Sequence, residues 1–141
     1  MAYEYGLFDV GNFKAAGNYS SASAQYSVVR LTSAAQFSYN VKSSQASFGI
    51  LQDRPSSGMA GTIRFLGFSK GQLATAHSAI AVGDKLCAST VGGNGHLIKS
   101  TLAGRYVIGR ALEACSSNVA AIISLAITHE GAGSTGTAGA A

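Results

Sequence analysis

Residues 80–128 read IAVGDKLCASTVGGNGHLIKSTLAGRYVIGRALEACSSNVAAIISLAIT. Short apolar runs alternate there with clusters of glycine, serine and asparagine, the pattern of antiparallel strands joined by tight turns. Four strands are predicted, over residues 85–88, 96–99, 105–114 and 119–128. In the last, Val119, Ala121, Ile123, Leu125 and Ile127 line one face, and Ala120, Ile122, Ser124, Ala126 and Thr128 line the other. Burying its four large aliphatic side chains contributes roughly 1.5–3 kcal/mol each, while ordering its backbone costs roughly 1–2 kcal/mol per residue. Such a strand belongs in a core and cannot stand in a lone hairpin.

The neighbouring segment 105–114 places Tyr106, Ile108 and Leu112 on one face with Arg110 among them, and Gly109 opens space on the other. Residues 115–118 close the hairpin to the last strand. Upstream, Asn94 followed by Gly95 supplies the left-handed backbone that a tight hairpin needs, and Gly83 with Asp84 forms a similar turn.

Working toward the N-terminus, 28–32 reads as a strand and 37–42 alternates apolar and polar residues without fault. Residues 48–51 follow, then a loop over 52–58 stiffened by Pro55, and a strand over 62–68 in which Gly67 marks a bulge or a close backbone approach. Residues 70–79 are read as a crossover. The predicted fold is therefore all-β: a small antiparallel β-barrel or β-sandwich of about eight strands over residues 26–129.

Flanking segments differ in composition. Residues 1–25 set Tyr3, Tyr5, Phe8, Phe13 and Tyr19 among glycine, alanine and serine, with Ser20 or Ser21 placed to cap a short turn. Aromatic anchors on so small-residue-rich a backbone suit an extended N-terminal arm, docked on a neighbour or folded back on its own sheet. Residues 130–141 form a glycine- and alanine-rich tail, expected to be flexible unless a partner orders it.

The chain has 141 residues, enough for one domain with a self-sufficient core. It is 47% hydrophobic and only 11% charged, against about 25% charged in ordinary soluble domains. A surface so poor in charge is better covered than solvated, which points to assembly; a small-residue-rich monomer kept soluble by serine and threonine is the alternative. The net charge of +4 is spread over single basic residues with no basic run, unlike a nucleic-acid groove. The N-terminus has no signal-peptide pattern and no stretch reaches membrane-spanning length. A cytosol-like compartment is expected, with Cys87 and Cys115 as reduced thiols rather than a disulfide. The acceptor sequence Asn18-Tyr19-Ser20 has no use without secretion.

Catalytic constellations are weak. His77, His96 and His129 stand alone, without metal-ligand spacing, and read as surface or turn residues. Gly92-Gly93-Asn94-Gly95 lacks the Lys-Ser/Thr of a phosphate loop and the third glycine of a dinucleotide fingerprint. Asp53, Asp84 and Glu113 could supply paired carboxylates, yet Asp84 after Gly83 has a sufficient task in capping its turn. No enzyme activity, cofactor or metal is predicted.

Phe48-Gly49-Ile50-Leu51-Gln52, the loop with Pro55 and Gly58, 63–67 with Lys70, residues 79–86 and residues 106–114 together resemble the capsid decoration, or cement, proteins of tailed bacteriophages, over about residues 12–127. The resemblance implies a compact β-domain on the outer surface of a capsid, bound to the major capsid protein, often as a homotrimer, and performing no chemistry. It implies no membrane and no direct nucleic-acid partner. The residues expected at such an interface are Tyr3, Tyr5, Phe8, Phe13 and Tyr19 of the arm and Arg54 of the loop. The serine-rich arm and the long small-residue tail depart from the family pattern. A second class is a virion surface binding module, a head-fibre base or glycan-binding domain, for which Phe37, Tyr39 and Tyr106 are the aromatic candidates if they face solvent rather than the core.

Overall fold

The last predicted strand sets the architecture. The structure, a computed structural model that describes residues 8–91 and 94–132, has ten strands and no α-helix among those residues. These are β1 (Phe8–Val10), β2 (Lys14–Ala15), β3 (Val28–Ser33), β4 (Gln36–Tyr39), β5 (Gly49–Leu51), β6 (Ile63–Gln72), β7 (Lys85–Ala88), β8 (Leu97–Lys99), β9 (Tyr106–Ala111) and β10 (Ile122–Ala132). Their order is β2-β4-β3-β5-β6-β10-β9-β7-β8, with β1 also on β6, and every named pair is antiparallel except β2 with β4. The sheet is not closed into a barrel and has a sandwich-like form, although an isolated parallel bridge between Leu73 and Leu97 lays β8 against the end of β6.

Strand β6 is the common member. Its first residues pair with β5 and β1, through Ile50 with Arg64 and Asp9 with Arg64, while Gly67–Gln72 pair with β10. The exchange of partners falls at Gly67, whose φ of 103° only glycine adopts without strain. Apolar residues no longer alternate beyond it, which is why 70–72 reads as the start of a crossover although it is strand.

Two cores result. One gathers Val28, Ile50, Leu86, Leu97, Ile108, Ile123, Leu125 and Ile127, and the other Ala15, Tyr19, Val29, Phe37, Leu51 and Ile63. The predicted inward face of the last strand holds at Ile123, Leu125 and Ile127. Val119 does not belong to it: it lies exposed ahead of β10. Leu125 fills a notch left by two glycines, since a Cβ on Gly71 would sit 2.6 Å from its Cδ2 and one on Gly109 2.9 Å from its Cδ1. The space expected opposite Gly109 is thus occupied by a core leucine.

Residues 8–25, the described part of the segment read as an arm, are folded back on their own sheet. β1 and β2 are the strands beyond the expected eight, and the 21–26 turn carries Ala24 into the second core without forming a helix. Strand β10 likewise continues through Glu130–Ala132, past a bulge where His129 takes a φ of 48°. Local composition misleads here because the partner strands are distant: Lys14 pairs with Gln36, and Phe8 with Leu66. Turns follow the sequence more closely. Asp84 accepts the Ala81 N–H at 2.8 Å, and Gly95, with φ 70°, packs against the Val28 carbonyl.

Candidate functional site

Of the six residues expected at an interface, the four described ones, Phe8, Phe13, Tyr19 and Arg54, do not form one exposed cluster. Tyr3 and Tyr5 lie outside the described residues. Tyr19 is buried, its ring 4.3 Å from Tyr39 and 5.8 Å from Phe37, so it is a core residue rather than an anchor for a partner. Burial raises its hydroxyl pKa, against the lowering pull of the Tyr39 backbone and the Arg30 charge. Phe13 is half-buried against Phe48 at 5.3 Å. Phe8 and Arg54 remain exposed, on β1 and on the loop after β5. Of the aromatic candidates for glycan stacking, Phe37 is fully buried and Tyr39 and Tyr106 are half-buried, so they present no platform.

His77 and His129 are not free surface groups, whereas His96 is half-buried with an exposed hydrogen bond to the Ser23 carbonyl. His77 is buried, with Nδ1 2.7 Å from the Ser78 carbonyl and Nε2 2.9 Å from that of Val119, tying the segment before β7 to the segment before β10. His129 donates from Nε2 to the Phe65 carbonyl at 2.7 Å, accepts from the Tyr106 hydroxyl at 2.9 Å, and stacks on Phe65 at 4.6 Å. Desolvation lowers its pKa, opposed by the Phe65 hydrogen bond. With both ring nitrogens engaged it is a fastener between β6, β9 and β10, not a general base. An aromatic seam from Phe13 through Phe48 and Phe65 to His129 and Tyr106 therefore runs where the two cores meet. Among the described residues, no group of three or more His, Cys, Asp or Glu is placed to hold a metal ion, and Cys87 and Cys115 are unpaired thiols.

Carboxylates are also spent internally. Asp9 takes Arg64 at 2.8 and 3.1 Å, Asp84 takes Lys99 at 3.0 Å, and Glu130 takes Arg110 at 2.8 and 2.9 Å. Asp53 accepts the Thr62 N–H through both oxygens at 3.1 Å, and Glu113 accepts that of Ser124. Every acid in the described residues is thus committed. Among those residues, no carboxylate pairs with Lys14, Lys42, Arg54, Lys70, Lys85 or Arg105.

Exposed apolar side chains are many for so small a domain. Phe8, Met59, Phe68, Val82, Leu102 and Ile122 stand out. Phe68 is 65% exposed on the outer face of β6, and beside it opens a shallow groove of about 420 Å³ whose walls include Leu112, Tyr26 and Lys70. Sequence reading missed this feature because Phe68 sits in an apolar strand and Leu112 was assigned to the face of Ile108. In the structure Phe68 shares the exposed face of β6 with Leu66 and Lys70, and Leu112 follows Arg110 on the exposed side of β9, whereas Ile108 is buried.

No protein family and no curated protein matches the chain. Among solved structures, it is similar to the head fiber gp8.5 N base in bacteriophage phi29, with a TM-score of 0.59 and 16% identity, over 89% of this chain and 97% of that one. At that identity the likeness is one of fold.

Proposed function

We propose that this chain is a structural protein of a phage virion surface, which binds the outside of the capsid shell, bridges major capsid protein subunits and does so as a homotrimer. In this reading it carries out no catalysis and needs no cofactor. The observation that supports it most is the surface: among the described residues, large apolar side chains stand exposed and several cations have no carboxylate partner while the five acids hold partners within the chain, a combination better suited to contact with protein than with water. Many copies on a symmetric shell gain avidity, so no single contact need be strong.

The fold likeness favours a second reading, in which the domain is the base of a head fibre and the rest of a fibre projects from it. Both place the chain on the virion exterior. Purified protein mixed with mature capsids and pelleted through sucrose separates them from all else: saturable co-sedimentation is expected, and a chain that stays in the supernatant at every ratio overturns both. Solution mass then decides assembly, with three times the chain mass expected. A stable monomer that nonetheless pellets with capsids would remove the trimer and leave the attachment.

A further inference from the structure

We propose that His129 is a proton-operated latch: its neutral ring clamps the end of β10 across β6 and β9, and protonation frees residues 129–132 from β9 while the rest of the sandwich stays folded.

Geometry fixes the protonation state of the clamped ring. The Phe65 carbonyl, 2.7 Å from Nε2, can only accept, so Nε2 carries the hydrogen. Nδ1, 2.9 Å from the Tyr106 hydroxyl, is then the acceptor of the neutral tautomer. A proton on Nδ1 turns that acceptor into a donor. The tyrosine oxygen must accept it, and the phenol hydrogen loses its partner in a half-buried site. The same step places a full charge on a ring stacked on Phe65 at 4.6 Å, where burial opposes ionisation more than the Phe65 hydrogen bond favours it. Neighbouring charges give no relief. On β6 and β1, Arg64 and Asp9 hold each other, and on β9 and β10, Arg110 and Glu130 do, with Lys85 of β7 also attracting Glu130. Tyr106 keeps its proton, since burial raises its pKa.

The held segment is lightly attached. His129 sits at the bulge of β10 with φ 48°, a left-handed conformation that costs a non-glycine residue some strain. Before the bulge, Ile122–Ile127 pair with β6 and Leu125–Ile127 with β9 as well. Beyond it, within the described residues, Gly131 opposite Val107 and Ala132 opposite Tyr106 complete the ladder. The end of β10 thus depends on two ladder positions, the Glu130–Arg110 pair and the His129 clamp.

Acid favours opening. A freed imidazole takes up its proton near the ordinary 6.5 and the clamped one only at lower pH, so the closed form is favoured above 6.5 and loses ground as pH falls below it. For one proton the opening constant rises by up to about tenfold per pH unit. Arg110 holds Glu130 below its ordinary 4.5, so that ion pair stays intact across the range in which His129 titrates.

The test is amide hydrogen exchange of the full chain at about pH 7.5 and about pH 5.5, expressed as protection relative to unstructured peptide, with the His129 Cε1 proton followed by NMR over the same range. Protection at residues 129–132 should fall severalfold, up to about tenfold, while that of Leu125 and Ile127 changes less than about twofold. His129→Gln keeps a donor for the Phe65 carbonyl but cannot titrate, so the fall should vanish. Tyr106→Phe removes the hydroxyl that favours the neutral ring, so the His129 midpoint should move up toward 6.5 and the fall should shrink. Equal protection at both pH values, or an equal loss along the whole of β10, overturns the proposal. So does a His129 midpoint at or above 6.5, or a pH dependence kept in full by His129→Gln, which would belong to His77 or His96 instead.

Discussion

Leu125 with the notch around it gives a quantitative test of the packing. The side chain is fully buried, with Cδ1 over Gly109 and Cδ2 over Gly71. Leu125→Ala removes it from a core that is hydrogen-bonded on both sides through β6 and β9 and cannot easily collapse, so a cost of about 3–5 kcal/mol is expected. At roughly 4 °C per kcal/mol for a chain of this size, the melting midpoint should drop by roughly 12–20 °C. Gly71→Ala should cost about 1–3 kcal/mol by overpacking, because its new methyl meets Leu125 Cδ2 at 2.6 Å and Leu97 Cδ1 at 2.5 Å. In the double variant the first of those clashes is gone and the methyl occupies part of the vacated space. Denaturant titrations of the four proteins should show the double variant more stable than the sum of the singles by about 1–2 kcal/mol. Additivity within about 0.5 kcal/mol would mean that Leu125 does not fill the notch and that the register of β10 on β6 is wrong.

Thiol labelling of the native protein should proceed in two phases, Cys115 quickly and Cys87 only on unfolding, because Cys87 is fully buried and burial raises its pKa; equal rates would contradict the inward placement of β7. Tyr19→Ala should cost about 3 kcal/mol or more and unfold the domain sooner, whereas removal of residues 1–7 should leave the melting midpoint of the β-domain within a few degrees, measured by circular dichroism. Stability should fall in acid: Asp84 is held below its ordinary 3.8 by the Ala81 N–H and then Lys99, and Glu130 below 4.5 by Arg110, so both support the fold above those values and cease to as pH drops through their lowered pKa. The sign reverses at high pH, where Tyr19, Tyr39 and Tyr106, raised above 10.0 by burial, stabilise the fold below pH 10 and lose that contribution as pH climbs past it. A flat urea midpoint across either range would refute the assignments.

Legibility in the sequence followed the range of the interaction. Ile123, Leu125 and Ile127 were readable because strand alternation is local, and Gly83-Asp84 because its turn closes within three residues. Gly109 was readable as space although nothing local says that Leu125 fills it. Tyr19 was not readable as core, since serine, glycine and alanine around it carry no period and its partners Phe37 and Tyr39 lie across a loop. Histidine is ambiguous for the same reason: the acceptors of His77 and His129 are backbone carbonyls at Val119 and Phe65, far away along the chain. The groove escaped notice because exposed phenylalanine looks like buried phenylalanine until the strand's facing is known.

Strand β6 has a mechanical consequence. It crosses from one core to the other without a break, held by β5 and β1 over one half and by β10 over the rest. A load applied along that strand acts on its ladder in shear, so that many hydrogen bonds must yield at once rather than peel in succession. The two cores would then share the tension instead of parting at a seam, and a pulling experiment along β6 would record one high rupture with no intermediate plateau. A domain wired in this way can sit between a surface and an object tugging on it, passing force straight through its middle strand.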